Sequence, residues 1–185
     1  MKLISLEDYT KIRDQNREKI IALKAKRSLC VGPDARFMFE CYETLWTQIQ
    51  EMLYVERGGK EQEIDELAAY TPLIPQGSEL VATLFFEIEN EKLRGEKLSL
   101  WGGIEKSAFL SIGGDKIYAQ NADNLERTNA FGKTSAVHFL RFTFNQEQKK
   151  AFAHGQVILG FDFPAYAHMA VVPEVIKEAL IKDFT

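Results

Sequence analysis

The chain has 185 residues, 45% hydrophobic and 27% charged, with 23 basic against 27 acidic side chains and a net charge of −4. That length suffices for one complete hydrophobic core, and the dispersed, slightly acidic charge argues against a nucleic-acid or anionic-membrane footprint. No apolar run reaches the length of a membrane span. The opening MKLISLEDYTKIRDQNREK turns polar before a signal-peptide core can form, so a cytoplasmic protein is expected. Cys30 and Cys41 are too few for a disulfide framework and are expected as buried free thiols.

Taken in order, Ser5-Leu6-Glu7-Asp8 reads as an N-cap with an acidic first turn. Leu6, Tyr9, Ile12, Ile20, Ile21 and Leu23 then give an amphipathic helix to about residue 26. Residues 27–31 are short and β-compatible, ending at Gly32-Pro33. The stretch 37–53, FMFECYETLWTQIQEML, carries the longest helical period. Met38, Tyr42, Leu45, Ile49 and Met52 recur at spacings of three and four, which predicts one helix with these side chains inward. Asp34 is its expected cap and Gly58-Gly59 its stop. Residues 60–69 read as a short acidic helix. Tyr70-Thr-Pro-Leu-Ile-Pro75 reads as a fixed turn anchored by Tyr70 and Leu73, because each proline lacks a donor and restricts the residue before it.

The remainder is strand-rich. Residues 79–88 are apolar on both sides, as an interior strand requires, and 90–100 are weakly helical. Gly113-Gly114 between 106–112 and 115–119 is a hairpin signature. Residues 121–133 read as a loop, 135–144 as the strongest strand, 146–153 as a helix, 156–163 as a further strand, and 174–182 as a final helix with Pro173 in its first turn. The expectation is one α+β domain over 1–185, a mainly antiparallel sheet packed against an N-terminal group of helices, helix-rich to about residue 70.

On the expected helix, Glu40, Thr44, Gln48 and Glu51 fall at helical spacing and would share a face. Carboxylates withdrawn from water need cations or donors. Arg141, which interrupts the apolar side of its strand, is the preferred partner, with Arg13 and Arg17 as alternatives. Asp162, at the end of the 156–163 strand, and Tyr166, on the loop that follows, complete the expected ligand pocket. His138 and His168 are secondary candidates. His138 shares a strand face with Leu140, Phe142 and Phe144, the setting of a satisfied core histidine, and lies opposite Arg141. No Glu-x-x-His occurs, so no carboxylate-bridged metal centre is expected. Convergence of His138, His154 and His168 stays open, because sequence separation does not exclude it. Gly132-Lys133-Thr134-Ser135 lacks the upstream glycine of a phosphate loop, and no specific cofactor motif is present.

Lys24-Ala-Lys-Arg27, FE..ET..TQIQEM from Phe39 to Met52, YTPLIP from Tyr70 to Pro75 and SAVHFLRF from Ser135 to Phe142 together resemble a functionally uncharacterised bacterial family over nearly the whole chain. That family is often encoded beside rubrerythrin-type proteins and iron–sulfur oxidoreductases. The resemblance therefore implies a role in redox or peroxide handling, with such a protein as partner. It also implies a His-Pro-x-Tyr after the penultimate strand, where this chain reads Phe163-Pro164-Ala165-Tyr166. The expected function is an accessory protein that binds a small ligand or a protein partner. The alternatives are an enzyme using Glu40, Glu51 or His138 as acid–base groups, and a homodimer or other structural homo-oligomer assembled through an apolar β face.

Overall fold

A computed structural model describes residues 1–123 and 127–185. Helix α1 (Leu6–Ala25) starts as the sequence suggests, with the Ser5 hydroxyl accepting from the Asp8 N–H at 3.1 Å. Strands β1 (Ser28–Val31) and β2 (Ala35–Phe39) follow as an antiparallel pair, and helix α2 spans Tyr42–Glu56. The single helix expected over 37–53 is thus a strand followed by a shorter helix. Ala35, Phe37 and Phe39 alternate with period two, and all three are buried on the core side of β2, where sheet pairing overrides the helical spacing. Met38 is buried from the opposite face of β2, whereas Tyr42 is exposed. Asp34 caps nothing; its carboxylate pairs with Lys97 at 2.6 Å. Cys41, extended at φ −146°, is the residue that precedes α2.

Helix α3 (Gly59–Tyr70) leads into a 3-10 turn at Thr71–Leu73, where Leu73 is wholly buried. Then come β3 (Glu79–Phe86), α4 (Glu91–Leu100), a 3-10 turn at Ile104–Ser107, β4 (Ala108–Ile112), β5 (Asp115–Tyr118) and β6 (Gln120–Asn121). Strand β7 (Val137–Thr143), α5 (Gln146–His154), β8 (Val157–Phe161), β9 (Met169–Val171) and α6 (Glu174–Ile181) complete the order. The β4–β5 hairpin turns on Gly113 and Gly114, both at positive φ (59° and 99°), which only glycine adopts cheaply. The expected loop 121–133 is partly ordered by pairing: Asn121 lies in β6 and Thr128 bridges Thr134, while 124–126 lie outside the described residues.

Two antiparallel sheets result, β1-β2-β3-β7-β6 and β5-β4-β8-β9. The α+β expectation is met. Phe37, Leu84, Phe86, Leu140 and Phe142 from the first sheet share one apolar cluster with Leu110, Leu159 and Phe161 from the second and Ile176 and Leu180 from α6. The other face of the first sheet meets the helical layer, with Val81 of β3 against Leu45 of α2 and Leu73. Strand β3, central in the larger sheet, is therefore apolar on both sides. Among the described residues, no helix is long and apolar enough to cross a membrane.

Candidate functional site

After α1 the chain turns tightly, and Arg27 is drawn inward beneath the end of α6. Only 3% of it is exposed. Its Nε–H donates to the Phe39 carbonyl at 2.9 Å, its Nη2 to the Glu40 carbonyl at 3.0 Å and its Nη1 to the Ala179 carbonyl at 3.2 Å; Nη2 also meets the Asp183 carboxylate. The planar fork suits this task, because its donors are held at fixed angles to one another. The Ala179 carbonyl lies in the last turn of α6, which leaves such acceptors without helical partners. Burial pushes the Asp183 carboxyl upward, and the hydrogen bond and charge of Arg27 oppose that shift.

Beside Arg27, the Cys41 thiol is buried and pushed up by that burial, which disfavours the reactive thiolate. Glu40, 5% exposed, accepts from the hydroxyls of Thr44 and Thr83, and the Cys41 N–H donates to Thr44 Oγ1 at 2.9 Å. Burial raises the Glu40 carboxyl above its ordinary range despite both threonines and the charges of Lys24 and Arg27. Above this polar floor runs a groove of about 870 Å³ between the end of α1, the start of α2, the connection 74–77 and the end of α6. Leu23, Ile74, Pro75 and Ala179 supply apolar wall, the exposed Lys26 and Lys182 supply positive charge, and the exposed Glu43 at the start of α2 sets one negative charge against them. Arg27 spends its donors on the protein and so shapes the groove; the two lysines are the cations open to a ligand.

The profile of a family described as "Protein of unknown function (DUF3501)" matches residues 1–184. The chain belongs to the DUF3501 family. It is also similar to the crystal structure of a protein of unknown function from Burkholderia pseudomallei K96243, with 37% identity, 99% of this chain and 96% of that chain covered, and a TM-score of 0.91. No curated protein matches it.

In this DUF3501 chain the expected pocket residues lie in separate places. Glu40 and Thr44 meet, but Glu40 precedes α2 rather than standing on it. Gln48 is exposed. Glu51 accepts from Arg13 at 2.9 and 2.8 Å and from the Tyr9 hydroxyl at 2.7 Å, and the Arg13 hydrogen bond holds its carboxyl low. Arg13 is thus the arginine that reaches α2, while Arg17 is exposed. Arg141 donates to Glu79 at 2.9 Å and to the Pro72 carbonyl at 2.7 Å, not to Glu40. Asp162 is exposed with Lys116 and Tyr118. His168 packs on Tyr166, with ring centroids 4.5 Å apart, and Gly32 has no room for a Cβ beside them.

His138 is wholly buried, on the face shared with Leu140 and Phe142. Among the described residues, no three His, Cys, Asp or Glu side chains gather as a metal site, so the three histidines form none there. Cys41 is buried as expected, but Cys30 is exposed, because β1 is an edge strand. Neither cysteine is disulfide-bonded. Sequence reasoning missed Arg27 and Asp183. Arg27 does sit in the Lys24-Ala-Lys-Arg27 segment, yet nothing local signals a partner 156 residues away.

Proposed function

We propose that the chain is a binding protein that takes a small ligand with an apolar body and an anionic head in the groove above Arg27. The observation that carries this reading is the groove itself: about 870 Å³, apolar along one wall, with Lys26 and Lys182 as open cations over a floor whose polar groups are internally satisfied. Concave, largely apolar sites with a few placed charges are the usual form of small-molecule sites. A pre-formed floor also spares a ligand the cost of ordering it. The acid–base enzyme reading has less support, since Glu40 and His138 are both withdrawn from solvent and a general base must reach its substrate. The resemblance described above supports a redox or peroxide-related setting, with a rubrerythrin-type or iron–sulfur protein as the partner that receives the liganded form.

The test is a thermal-shift screen of straight-chain fatty acids and aryl carboxylates from four to twelve carbons, on wild type and on Lys26→Glu/Lys182→Glu. Stabilisation of wild type that rises with apolar length and vanishes in the charge-reversed variant is the expected result. No shift with any of them, or equal shifts in both proteins, overturns the assignment.

A further inference from the structure

Lys97 of α4 and Arg36 of β2 each answer an acid, Asp34 and Glu87. Lys92, Arg94 and Lys133 form no ion pair among the described residues. Arg94 commits its Nη1 alone, to the Ile88 carbonyl at 3.1 Å. These three cations line one open groove of about 660 Å³ along α4, together with Gly95 and the buried Leu98. Among the described residues Glu91 is the one acid in that lining, while Glu89 and Glu96 are exposed to either side of it in sequence. Positive charge therefore gathers there without an internal counter-ion to match it.

Two further observations belong to the same place. Gly95 interrupts the interior of α4, where glycine is a poor helix former. Packing within the chain does not call for it, because a Cβ built there would meet nothing within 4 Å. Glycine also serves where another backbone or a ligand comes close, and here it leaves helix backbone bare toward the groove. The segment that carries Lys133 also holds Phe131, 94% exposed. Its backbone is tied down around that ring. The Asn129 N–H donates to the Lys133 carbonyl and the Gly132 N–H to the Asn129 carbonyl, both at 2.9 Å. Asn129 Oδ1 accepts from the N–H groups of Phe131 and Lys133, each at 3.0 Å. The Thr134 N–H then fastens the segment to the Leu98 carbonyl of α4 at 3.0 Å.

We propose that this groove docks an acidic segment of a partner protein, with carboxylates on Lys92, Arg94 and Lys133, backbone laid against Gly95, and an apolar side chain on Phe131. Charge complementarity selects the occupant: three unpaired cations against Glu91 attract carboxylates, and the Arg94 fork suits them. An exposed aromatic ring on pre-ordered backbone is a common anchor of protein contacts, since little ordering remains to oppose binding. Phe131 lies outside the groove lining, so the surface extends beyond what a small anion would cover. Nucleic acid fits less well. The chain carries a net charge of −4, Glu91 stands among the cations, and a single exposed ring gives no run of stacking platforms. The groove shares no lining residue with the one above Arg27, so the two readings stand or fall separately.

Fluorescence anisotropy of the full chain tests the docking. The probes are a labelled Asp- and Glu-rich peptide with a central Leu-Leu and a labelled oligothymidylate of the same length. Wild type should bind the peptide, more weakly as salt rises. Lys92→Glu/Lys133→Glu should weaken binding by about tenfold or more, and Phe131→Ala should speed release of the peptide. Gly95→Leu should also weaken binding while melting no lower than wild type, because leucine is the better helix former and its Cβ meets open space. No peptide binding by wild type at low salt, unchanged affinity in the charge-reversed variant or in Gly95→Leu, or tighter binding of oligothymidylate than of peptide overturns the proposal. Should Gly95→Leu melt lower than wild type, the charge-reversed variant, altered at exposed positions alone, decides.

Discussion

Tyr166 places its hydroxyl where the turn between β1 and β2 would otherwise leave three backbone groups unpaired. It accepts from the Asp34 and Ala35 N–H groups at 2.9 and 3.0 Å and donates to the Val31 carbonyl at 2.8 Å. A hydroxyl has one proton and two lone pairs, so this one has nothing left for a ligand. Glu40 differs in kind, because its environment sets a protonation preference. Burial holds its folded-state carboxyl above the ordinary glutamate value. Below pH of about 4.3 the folded and unfolded chains both carry the proton. As pH rises past that value the unfolded chain releases it first, so stability is lost progressively until the folded carboxyl ionises too. Glu40→Gln should remove this loss. Urea melts at several pH values should show the difference between variant and wild type moving in the variant's favour from pH 4 to 7. A difference that stays flat would mean that Glu40 is as well solvated folded as unfolded.

At the scale of elements, α2 is held by its buried face. Leu45 is 1% exposed and packs with Leu73 and Val81, so Leu45→Ala should cost about 2–5 kcal/mol in a denaturant melt. A loss below a tenth of that would mean the sheet closes over the gap. Leu45 and Ile49 were readable because helical spacing persists through them. Upstream, Met38 fits the helical spacing while Ala35, Phe37 and Phe39 fit a two-residue period, and only pairing with β3 decides between the two readings. The strand 137–143 had no such rival: His138, Leu140 and Phe142 are all buried on one side, as alternation requires. The expected polar line Glu40–Thr44–Gln48–Glu51 failed for a related reason. Its first member stands before the helix, so the line breaks where β2 ends, and each carboxylate finds a separate partner.

At the scale of the whole molecule, the hydrogen bonds that span the most sequence among the described residues join Arg27 to Ala179 and Asp183, tying the first helix's exit to the last helix's end across 152 and 156 residues. Local pattern cannot show such a pair, since neither residue departs from what a surface would carry. Its energetics are lopsided. Two buried charges attract strongly, yet both lose hydration, so the intact pair need add little net stability; removing one partner leaves the other charged and uncompensated. Arg27→Met should therefore cost about 3–5 kcal/mol. Adding Asp183→Leu removes the abandoned carboxylate and should return part of that loss. The return must be incomplete, because the carbonyls of Phe39, Glu40 and Ala179 still lack the donors that Arg27 gave them. Urea denaturation of wild type, both single variants and the double variant measures each corner of this cycle. A double variant as unstable as the sum of the singles would show that Arg27 acts through the three carbonyls alone and that Asp183 is incidental to it.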